Sequence, residues 1–332
     1  MKNDGEHWSR QEEATKSDFP IMFLICLVKL LPFPLLVCFV PFVSFFYYLF
    51  SPHARREAVR YQRQLISFSG GRHLQRPNAY AQMTSFALSL VEKVSAWSGK
   101  ASLENVVFHD DDVVELKERL SEGKGAVLIC SHLGNMELLR CLASYGNTGV
   151  DRKVPVTAIM DMQVSSHFSR SIARLNDRYQ MNIIASSDVG VESLDPLLTT
   201  LQSGGLVVIA GDRTSASCPG RSIKASFLGR TAPFPYGSFL LSSLLGAPVY
   251  FVFALRQKGT AFRPRYDMFV NKPDVSFACS RKERKLRIQE LCRKYAGLLE
   301  SHCLDRPYQW YNFFDFWLFT EGEDSDGQKD LD

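Results

Sequence analysis

The sequence predicts an α/β protein with a largely parallel central sheet flanked by helices, preceded by an N-terminal membrane-associating helical segment. Residues 19–50 form a nearly uncharged apolar run. After residue 77, short apolar runs alternate with amphipathic stretches of helical length. Most of these short runs lack alternating polar residues, which is typical of parallel strands that are buried on both faces.

Composition is that of a folded protein rather than a disordered one. Of the 332 residues, 45% are hydrophobic and 22% are charged, which suits one large α/β domain with a lead segment. The net charge of +4 is small, so we expect no nucleic acid partner. None of the eight cysteines forms a C-x-x-C pair or a zinc-like spacing, and we expect free thiols in a reducing compartment.

The apolar run at residues 19–50 contains one charged residue, Lys29, and three prolines, Pro32, Pro34 and Pro41. A continuous helix of this length would measure ~48 Å, more than the ~30 Å of a bilayer core. Two membrane arrangements fit: a single tilted, kinked span, or two short helices that meet near Pro32 within one leaflet. A pair of soluble core helices is the alternative.

The flanks of this run predict its orientation. Basic residues follow it directly and place the main domain on the cytoplasmic side: His53, Arg55, Arg56, Arg60 and Arg63. A secretory signal is disfavoured, because residues 1–18 are polar with five acidic residues and no cleavage site follows. The predicted organisation is a polar lead, a membrane anchor, a main domain and an acidic disordered tail, at residues 1–18, 19–50, 51–320 and 321–332.

Helices and strands alternate through the main domain. Apolar faces and closing glycines predict helices at 78–97, after the acidic triplet 110–112, and at 135–145, 164–179, 191–202 and 236–245. Apolar runs between turn signals predict strands at 126–130, 154–160, 181–185, 206–210, 249–255 and 262–270. In sheets of this kind the chemistry lies beyond the carboxyl ends of the strands.

The stretch S-H-L-G-N-M-E, from Ser131 to Glu137, follows the strand at 126–130. His132 is therefore expected at a strand end, and Gly134 permits a sharp turn. Glu137 falls in the first turn of the next helix, from which its carboxylate can orient the imidazole. His132 can then take a proton from an acceptor hydroxyl. The alternative is a turn histidine beside an ordinary helix-start glutamate.

This stretch resembles the H-x4-D/E motif of the lysophospholipid acyltransferase superfamily. Other landmarks resemble its bacterial lipid A late acyltransferase branch: G-D-R (211–213), S-F-L-G-R-T-A-P-F-P-Y-G (226–237) and L-L-G-A-P-V (244–249). Two end segments resemble a subgroup of predicted acyltransferases, some from aryl-polyene or flexirubin-type pigment clusters: H-W-S-R-Q-E-E (7–13) and P-Y-Q-W-Y-N-F-F-D-F-W (307–317).

The resemblance implies an O-acyltransferase at the cytoplasmic face of the bacterial inner membrane. The donor would be a thioester of acyl carrier protein or coenzyme A, and the acceptor a hydroxyl of a lipid or glycolipid. No metal and no further cofactor are expected. Two residues depart from the pattern: Glu137 stands where Asp is frequent, and Asp212-Arg213 stands where the lipid A enzymes tend to have Asp-Gln. The second departure weakens the prediction of lipid A itself as acceptor.

Several residues are predicted to bind substrate. Arg170 and Arg174 lie one helical turn apart and resemble paired arginines that face a head group in the family. Arg213 suits a phosphate or phosphopantetheine. The full predicted set is Asn135, Arg170, Arg174, Asp212, Arg213, Gly229 and Arg230. The basic stretch 281–294 suits either a solvated helix face or contact with an anionic lipid or an acidic carrier protein.

Competing functions remain open at this point. Asp110 and Asp112 have the D-x-D spacing that holds the metal of a nucleotide sugar, which indicates a metal-dependent membrane glycosyltransferase. A non-catalytic membrane adaptor of the same fold is another alternative. A serine hydrolase is disfavoured because the chain has no G-x-S-x-G sequence. Cys130 beside His132 suits core packing better than nucleophilic attack.

Overall fold

The computed structural model describes residues 19–96, 103–138, 149–160, 182–186, 193–214 and 222–318. Within these ranges the helices are α1 Phe19–Leu30, α2 Phe33–Phe50, α3 Pro52–Ser69, α4 Ala79–Ser95, α5 Asp112–Ser121, α6 Leu194–Gln202, α7 Tyr236–Leu244 and α8 Arg281–Asp305. The strands are β1 Val106–Phe108, β2 Ala126–Cys130, β3 Val156–Met160, β4 Asn182–Ala185, β5 Leu206–Ala210, β6 Ser222–Phe227, β7 Arg230–Pro235, β8 Val249–Arg256 and β9 Tyr266–Asn271.

Seven of the strands form one twisted sheet in the order β1-β9-β8-β2-β5-β3-β4. Strand β2 lies at its centre and pairs in parallel with both β5 and β8. Strands β3 and β4 extend the parallel part, and β9 runs antiparallel to β8. Strands β6 and β7 form a separate antiparallel hairpin. The predicted largely parallel sheet is therefore confirmed.

The central strand is buried on both faces. Along β2, Val127 and Ile129 point into a core that includes Phe251 and Tyr295. Leu128 and the other alternate residues point into a second core beneath α5. Two apolar layers on a parallel sheet require the helices that cover them, which is why an uninterrupted run of apolar residues marks each central strand.

Helices α1 and α2 form a hairpin whose break lies at Pro32. One face of α2 is buried, and its apolar residues pack with residues of α4. The opposite face is exposed and apolar: Leu35, Phe39, Phe42, Val43, Phe46 and Leu49. Helix α2 is long and apolar enough to cross a membrane. The sequence predicted the apolar segment, and a break near Pro32 was one of the two membrane arrangements that it left open.

Helix α4 is fixed to the catalytic domain by buried polar contacts. The side chain of Gln82 donates to the carbonyl of Trp310 at 2.7 Å. At the other end of the helix, Arg256 at the end of β8 donates to Glu92 at 2.8 Å. Unpaired charges are costly in such surroundings. Helix α4 therefore holds the α1–α2 hairpin against the catalytic domain.

Most predicted elements agree with the structure to within a few residues; one predicted strand is shifted and four elements were not predicted. The last predicted strand begins at Tyr266 instead of residue 262. The short strand β1 and the hairpin β6–β7 were not predicted as strands. Helix α3 was not predicted either. The predicted helix 164–179, most of the predicted helix 135–145, and residues 1–18 and 321–332 lie outside the described residues.

Candidate active site

His132 lies two residues beyond the end of the central strand β2, as the sequence predicts. The turn that follows depends on Gly134, whose φ is +75°. A Cβ atom there would lie 2.1 Å from the carbonyl oxygen of Ala254. The next residue, Asn135, donates its amide to that same carbonyl at 2.8 Å. The turn is therefore held tightly against β8, and only glycine fits at position 134.

Asp212 reaches the same place from the neighbouring strand. It follows β5 by two residues, and the amide of Gly211 donates to the carbonyl of Cys130 at 2.9 Å, which continues the sheet ladder. A Cβ atom at Gly211 would lie 2.6 Å from the side chain of Ile129. This close approach brings the Asp212 carboxylate to the His132 turn.

The Asp212 carboxylate is 1% exposed and receives three hydrogen bonds. Its Oδ1 accepts from Nδ1 of His132 at 2.8 Å. Its Oδ2 accepts from the backbone N–H of His132 at 2.7 Å and from the indole N–H of Trp310 at 3.1 Å. The imidazole itself is 29% exposed on its side chain. The carboxylate is thus enclosed while the ring keeps an open side.

The charges at this site favour a neutral histidine and an ionised aspartate. Burial and the charge of Arg213 lower the pKa of His132, while Asp212 acts in the opposite direction. Burial works against the charged form of Asp212. In the acid range where this carboxyl titrates, His132 is protonated, and its charge, hydrogen bonds from its ring and backbone, and Arg213 hold the pKa of Asp212 below its usual value. An ionised carboxylate only accepts, so Nδ1 carries the proton and Nε2 keeps its lone pair.

Glu137 lies in the first turn of the helix that follows the site and is 5% exposed. That position is the one predicted from the sequence. The carboxylate that the structure places on Nδ1 of His132 is Asp212, which was predicted from the sequence to bind substrate. The pairing of Glu137 with His132 remains a prediction.

The other predicted binding residues lie in different parts of the structure. Asn135 is buried, with its amide nitrogen 3.4 Å from the hydroxyl of Tyr266. Arg213 donates to the carbonyl of Tyr311 at 3.0 Å. Gly229 and Arg230 lie at the turn of the β6–β7 hairpin, where the guanidinium of Arg230 is 5.4 Å from the ring centre of Trp317. Arg170 and Arg174 lie outside the described residues.

Sequence reasoning missed the contribution of the C-terminal segment. Trp310 contacts Asp212 directly, and the backbone of Tyr311 donates to the carbonyl of His132 at 3.2 Å. The sequence did indicate that His132 and Asp212 both follow buried strands, and this was the available signal that the two side chains lie close together. Nothing in the local sequence indicates that a tryptophan 98 residues after Asp212 meets it.

The residues behind two competing hypotheses have structural roles. Asp110 accepts from the backbone N–H of Val270 at 2.9 Å, and Asp112 accepts from that of Lys272 at 2.7 Å. Both carboxylates thus hold strand β9 and the residue after it. Among the described residues, no cluster of three His, Cys, Asp or Glu side chains is placed to hold a metal. Cys130 is a fully buried free thiol within the core.

One protein family matches most of the chain. The sequence pattern of the family described as bacterial lipid A biosynthesis acyltransferase matches residues 22–318, which include most of the α1–α2 hairpin and the His132 site. No individual characterised protein gives a significant match. The chain therefore belongs to the bacterial lipid A biosynthesis acyltransferase family and is a membrane-associated acyltransferase.

Proposed function

We propose that this protein transfers a fatty acyl or polyene acyl group from an acyl thioester to a hydroxyl group of a lipid or glycolipid, with His132 as the general base. The thioester is carried by acyl carrier protein or coenzyme A. The observation that supports this most directly is the state of His132: a partly exposed imidazole whose Nδ1 is fixed on Asp212. A base of this kind needs a free Nε2 and a carboxylate behind it.

The proposed reaction uses the two ring nitrogens for different tasks. Nε2 of His132 takes the proton of the acceptor hydroxyl as the oxygen attacks the thioester carbonyl. The tetrahedral intermediate then collapses, the C–S bond breaks, and the departing thiolate takes the proton back from Nε2. Asp212 stabilises the imidazolium that forms between these steps. We therefore propose that Asp212 is the partner of the base His132 and not a substrate-binding residue.

The residues around the base have proposed secondary roles. Glu137 remains a candidate partner of His132 or of the substrate. The side-chain oxygen of Asn135 is buried and has no hydrogen-bond partner among the described residues, so it is available to accept from a substrate donor. Arg213 lies close enough to lower the pKa of His132, which suits contact with a donor phosphate. Substrate binding by Arg170, Arg174, Gly229 and Arg230 is proposed on the resemblance alone.

We infer that the α1–α2 hairpin lies within one leaflet rather than crossing the membrane. The apolar stretch in α1, Phe19–Leu30, has 12 residues, about 18 Å of helix, which is too short to span. Helix α2 packs on α4, and α4 is itself bonded to the active-site segment through Gln82. The exposed phenylalanines of α2 then insert into lipid. The basic residues after Ser51 favour the cytoplasmic face of the inner membrane.

The experiment that tests the function compares the wild type with His132→Ala in a bacterial host that lacks the gene. Total lipids and pigments are extracted and measured by mass spectrometry. We expect one species to lose the mass of an acyl chain in the deletion strain and in the His132→Ala strain, and to return with the wild type. Full restoration by His132→Ala would overturn the assignment of the base. If the wild type restores the missing species only when a divalent metal ion is supplied, the glycosyltransferase alternative is favoured.

A further inference from the structure

A short segment near the C-terminal end, residues 309–312, lies across the turn that carries His132; it is called the strap below. Leu133 and Trp310 form an antiparallel bridge. The amide of Gly134 donates to the carbonyl of Gln309 at 2.9 Å on one side of that bridge. The amide of Tyr311 donates to the carbonyl of His132 on the other side. The strap therefore pairs with the catalytic turn as a short strand would.

The indole of Trp310 is fixed by close packing. Its side chain is among the largest fully buried ones in the described part of the chain. The rings of Tyr61, Phe227 and Phe316 meet it edge-on, with centroid separations of 4.9, 5.1 and 4.9 Å. A ring enclosed in this way has one orientation, and in that orientation its N–H lies 3.1 Å from Oδ2 of Asp212.

The strap is itself held from two other elements. The side chain of Gln309 bridges the backbone of Arg256, accepting from its N–H at 2.9 Å and donating to its carbonyl at 2.8 Å. Gln82 of α4 donates to the carbonyl of Trp310. The indole N–H is thus a donor whose position is fixed by β8 and α4, independently of the strand that carries Asp212.

Two donors from separate segments converge on Oδ2 of Asp212. The backbone N–H of His132 comes from the catalytic turn and the indole N–H from the strap. One donor fixes a point on a carboxylate, whereas two donors on the same oxygen also restrict its rotation. With Oδ2 held, Oδ1 faces Nδ1 of His132. Within the described ranges the indole N–H donates only to Asp212, so it is expected to serve the carboxylate.

We propose that Trp310 is a positioning residue, whose indole N–H holds the Asp212 carboxylate on the ring of His132. The effect of Trp310 on catalysis rests on the proposed function, in which His132 is the base; its effect on the position of the carboxylate does not. Without the N–H, the carboxylate turns away from Nδ1 for part of the time. The imidazolium then loses its partner, and proton transfer slows while the substrate-binding surface is unchanged.

The test follows the protonation of His132 without any substrate. Diethyl pyrocarbonate modifies neutral imidazole, and peptide mass spectrometry resolves His132 from the other histidines. The rate of modification against pH gives the midpoint of the His132 titration in the full-length protein in detergent. Charged and titratable groups that act on this pair are Lys93, Arg213 and Tyr295, with Cys303 also acting on Asp212. All of them are kept in every variant.

Four proteins are compared: the wild type, Asp212→Asn, Trp310→Phe and Trp317→Phe. Asp212 raises the pKa of His132, so Asp212→Asn moves the midpoint to lower pH. We expect Trp310→Phe to move it in the same direction, by at least a third of that shift. Trp317 is the matched control, because its buried indole lies in the same aromatic cluster but its N–H points to the carbonyl of Phe227 at 3.4 Å. Trp317→Phe is expected to leave the midpoint unchanged.

The other outcomes overturn the proposal. An unchanged midpoint in Trp310→Phe means that the carboxylate stays on the ring without the indole. A shift to higher pH means that the indole only withdraws charge from the carboxylate and does not hold it. An equal shift in Trp317→Phe means that loss of packing, not loss of the N–H, is responsible.

A second variant serves if Trp310→Phe does not fold. Gln309→Met keeps the volume and the aromatic packing but releases the strap from Arg256, and we expect a smaller shift in the same direction. Because the titration needs no substrate, it is separable from the proposed function. If the midpoint shifts as expected while His132→Ala still transfers acyl groups, the positioning inference stands and the assignment of the base falls.

Discussion

Asp212 and His132 are joined twice, once through the ring and once through the backbone. Oδ1 of the carboxylate accepts from Nδ1 at 2.8 Å, and Oδ2 accepts from the backbone N–H at 2.7 Å. The two residues are 80 positions apart in sequence. They meet because each follows one of two adjacent parallel strands, β2 and β5.

The first prediction concerns this pair. Asp212→Asn keeps the size of the side chain but removes the charge that stabilises the imidazolium. We expect kcat for acyl transfer to fall by about 10²- to 10⁴-fold with little change in KM. Initial rates with a radiolabelled acyl thioester in membranes measure both constants. A rise in KM with kcat unchanged would return Asp212 to substrate binding, as the sequence analysis supposed.

The pH dependence of the reaction provides a second prediction. The base is active when His132 is neutral, so kcat/KM rises with pH through the pKa of His132. Burial and Arg213 hold this pKa below its usual value of about 6.5. We therefore expect the acid limb of the profile to lie below that value, and Arg213→Gln to move it to higher pH. A limb that Arg213→Gln leaves in place would show that Arg213 does not act on the base.

The catalytic turn permits a matched pair of glycine substitutions. Gly134 and Gly123 have φ values of +75° and +74°. A Cβ atom at Gly134 meets the carbonyl of Ala254 at 2.1 Å, whereas one at Gly123 meets nothing within 4 Å. Gly123→Ala is expected to cost about 1–2 kcal/mol of unfolding free energy from backbone strain alone. Gly134→Ala should cost more and should also lower activity, as measured by thermal unfolding and acyl transfer. Equal effects on stability and activity would contradict the close contact.

The buried ion pair between Glu92 and Arg256 yields a fourth prediction. Glu92→Gln leaves the Arg256 charge buried without its partner and is expected to destabilise the protein by ~3–5 kcal/mol. The double change Glu92→Leu with Arg256→Met removes both charges and should recover most of that loss. Chemical denaturation in detergent measures the free energy of unfolding of each variant. A double variant no more stable than Glu92→Gln would mean that the unpaired charge of Arg256 is not the source of the loss.

The leaflet arrangement of the hairpin can be tested by topology. If α1 and α2 stay in one leaflet, an epitope tag ahead of Met1 lies on the same side as the catalytic domain. Protease should then remove the tag from inverted inner-membrane vesicles and spare it in intact spheroplasts. Removal from spheroplasts would demonstrate a span. A resident protein of the outer face of that membrane shows whether each preparation is sealed.

The exposed face of α2 allows a second test of the leaflet arrangement. The double change Phe42→Asp with Phe46→Asp places two charges on that face, and we expect the protein to shift from the membrane to the soluble fraction. Val107→Asp on strand β1 changes an exposed apolar residue away from the hairpin and should leave the distribution unchanged. Equal behaviour of the two variants would contradict insertion of this face into lipid.

The sequence predicted the features that depend on neighbouring residues only. Uninterrupted apolar runs located the central strands, and the position of His132 after β2 followed from one of them. Pro32 marked the break between α1 and α2. The hairpin β6–β7 was not predicted, because residues 226–237 were interpreted only as a family landmark and the alternation of polar and apolar residues in β6 was not used. Each of these signals, detected or missed, lies within a few residues of the feature it marks.

Which carboxylate pairs with His132 depends on how distant segments of the chain pack together, and no local sequence pattern indicates it. Glu137 is five residues from His132 and was the natural candidate by spacing. Asp212 reaches the ring because β5 lies beside β2, which is a property of the whole sheet. Trp310 arrives from a third segment, after α8 has crossed the core.

The strap also has a consequence for the synthesis of the chain. His132 and Asp212 are made first, and Trp310 follows Asp212 by 98 residues. At ribosomal rates of roughly 5–20 residues per second, His132 and Asp212 exist for about 5–20 s before the tryptophan whose indole is proposed to align them is translated. On the proposal above, a chain cut short in that interval contains His132 and Asp212 without the indole that holds the carboxylate on the ring. We expect such a fragment to keep the apolar hairpin and to lack efficient acyl transfer.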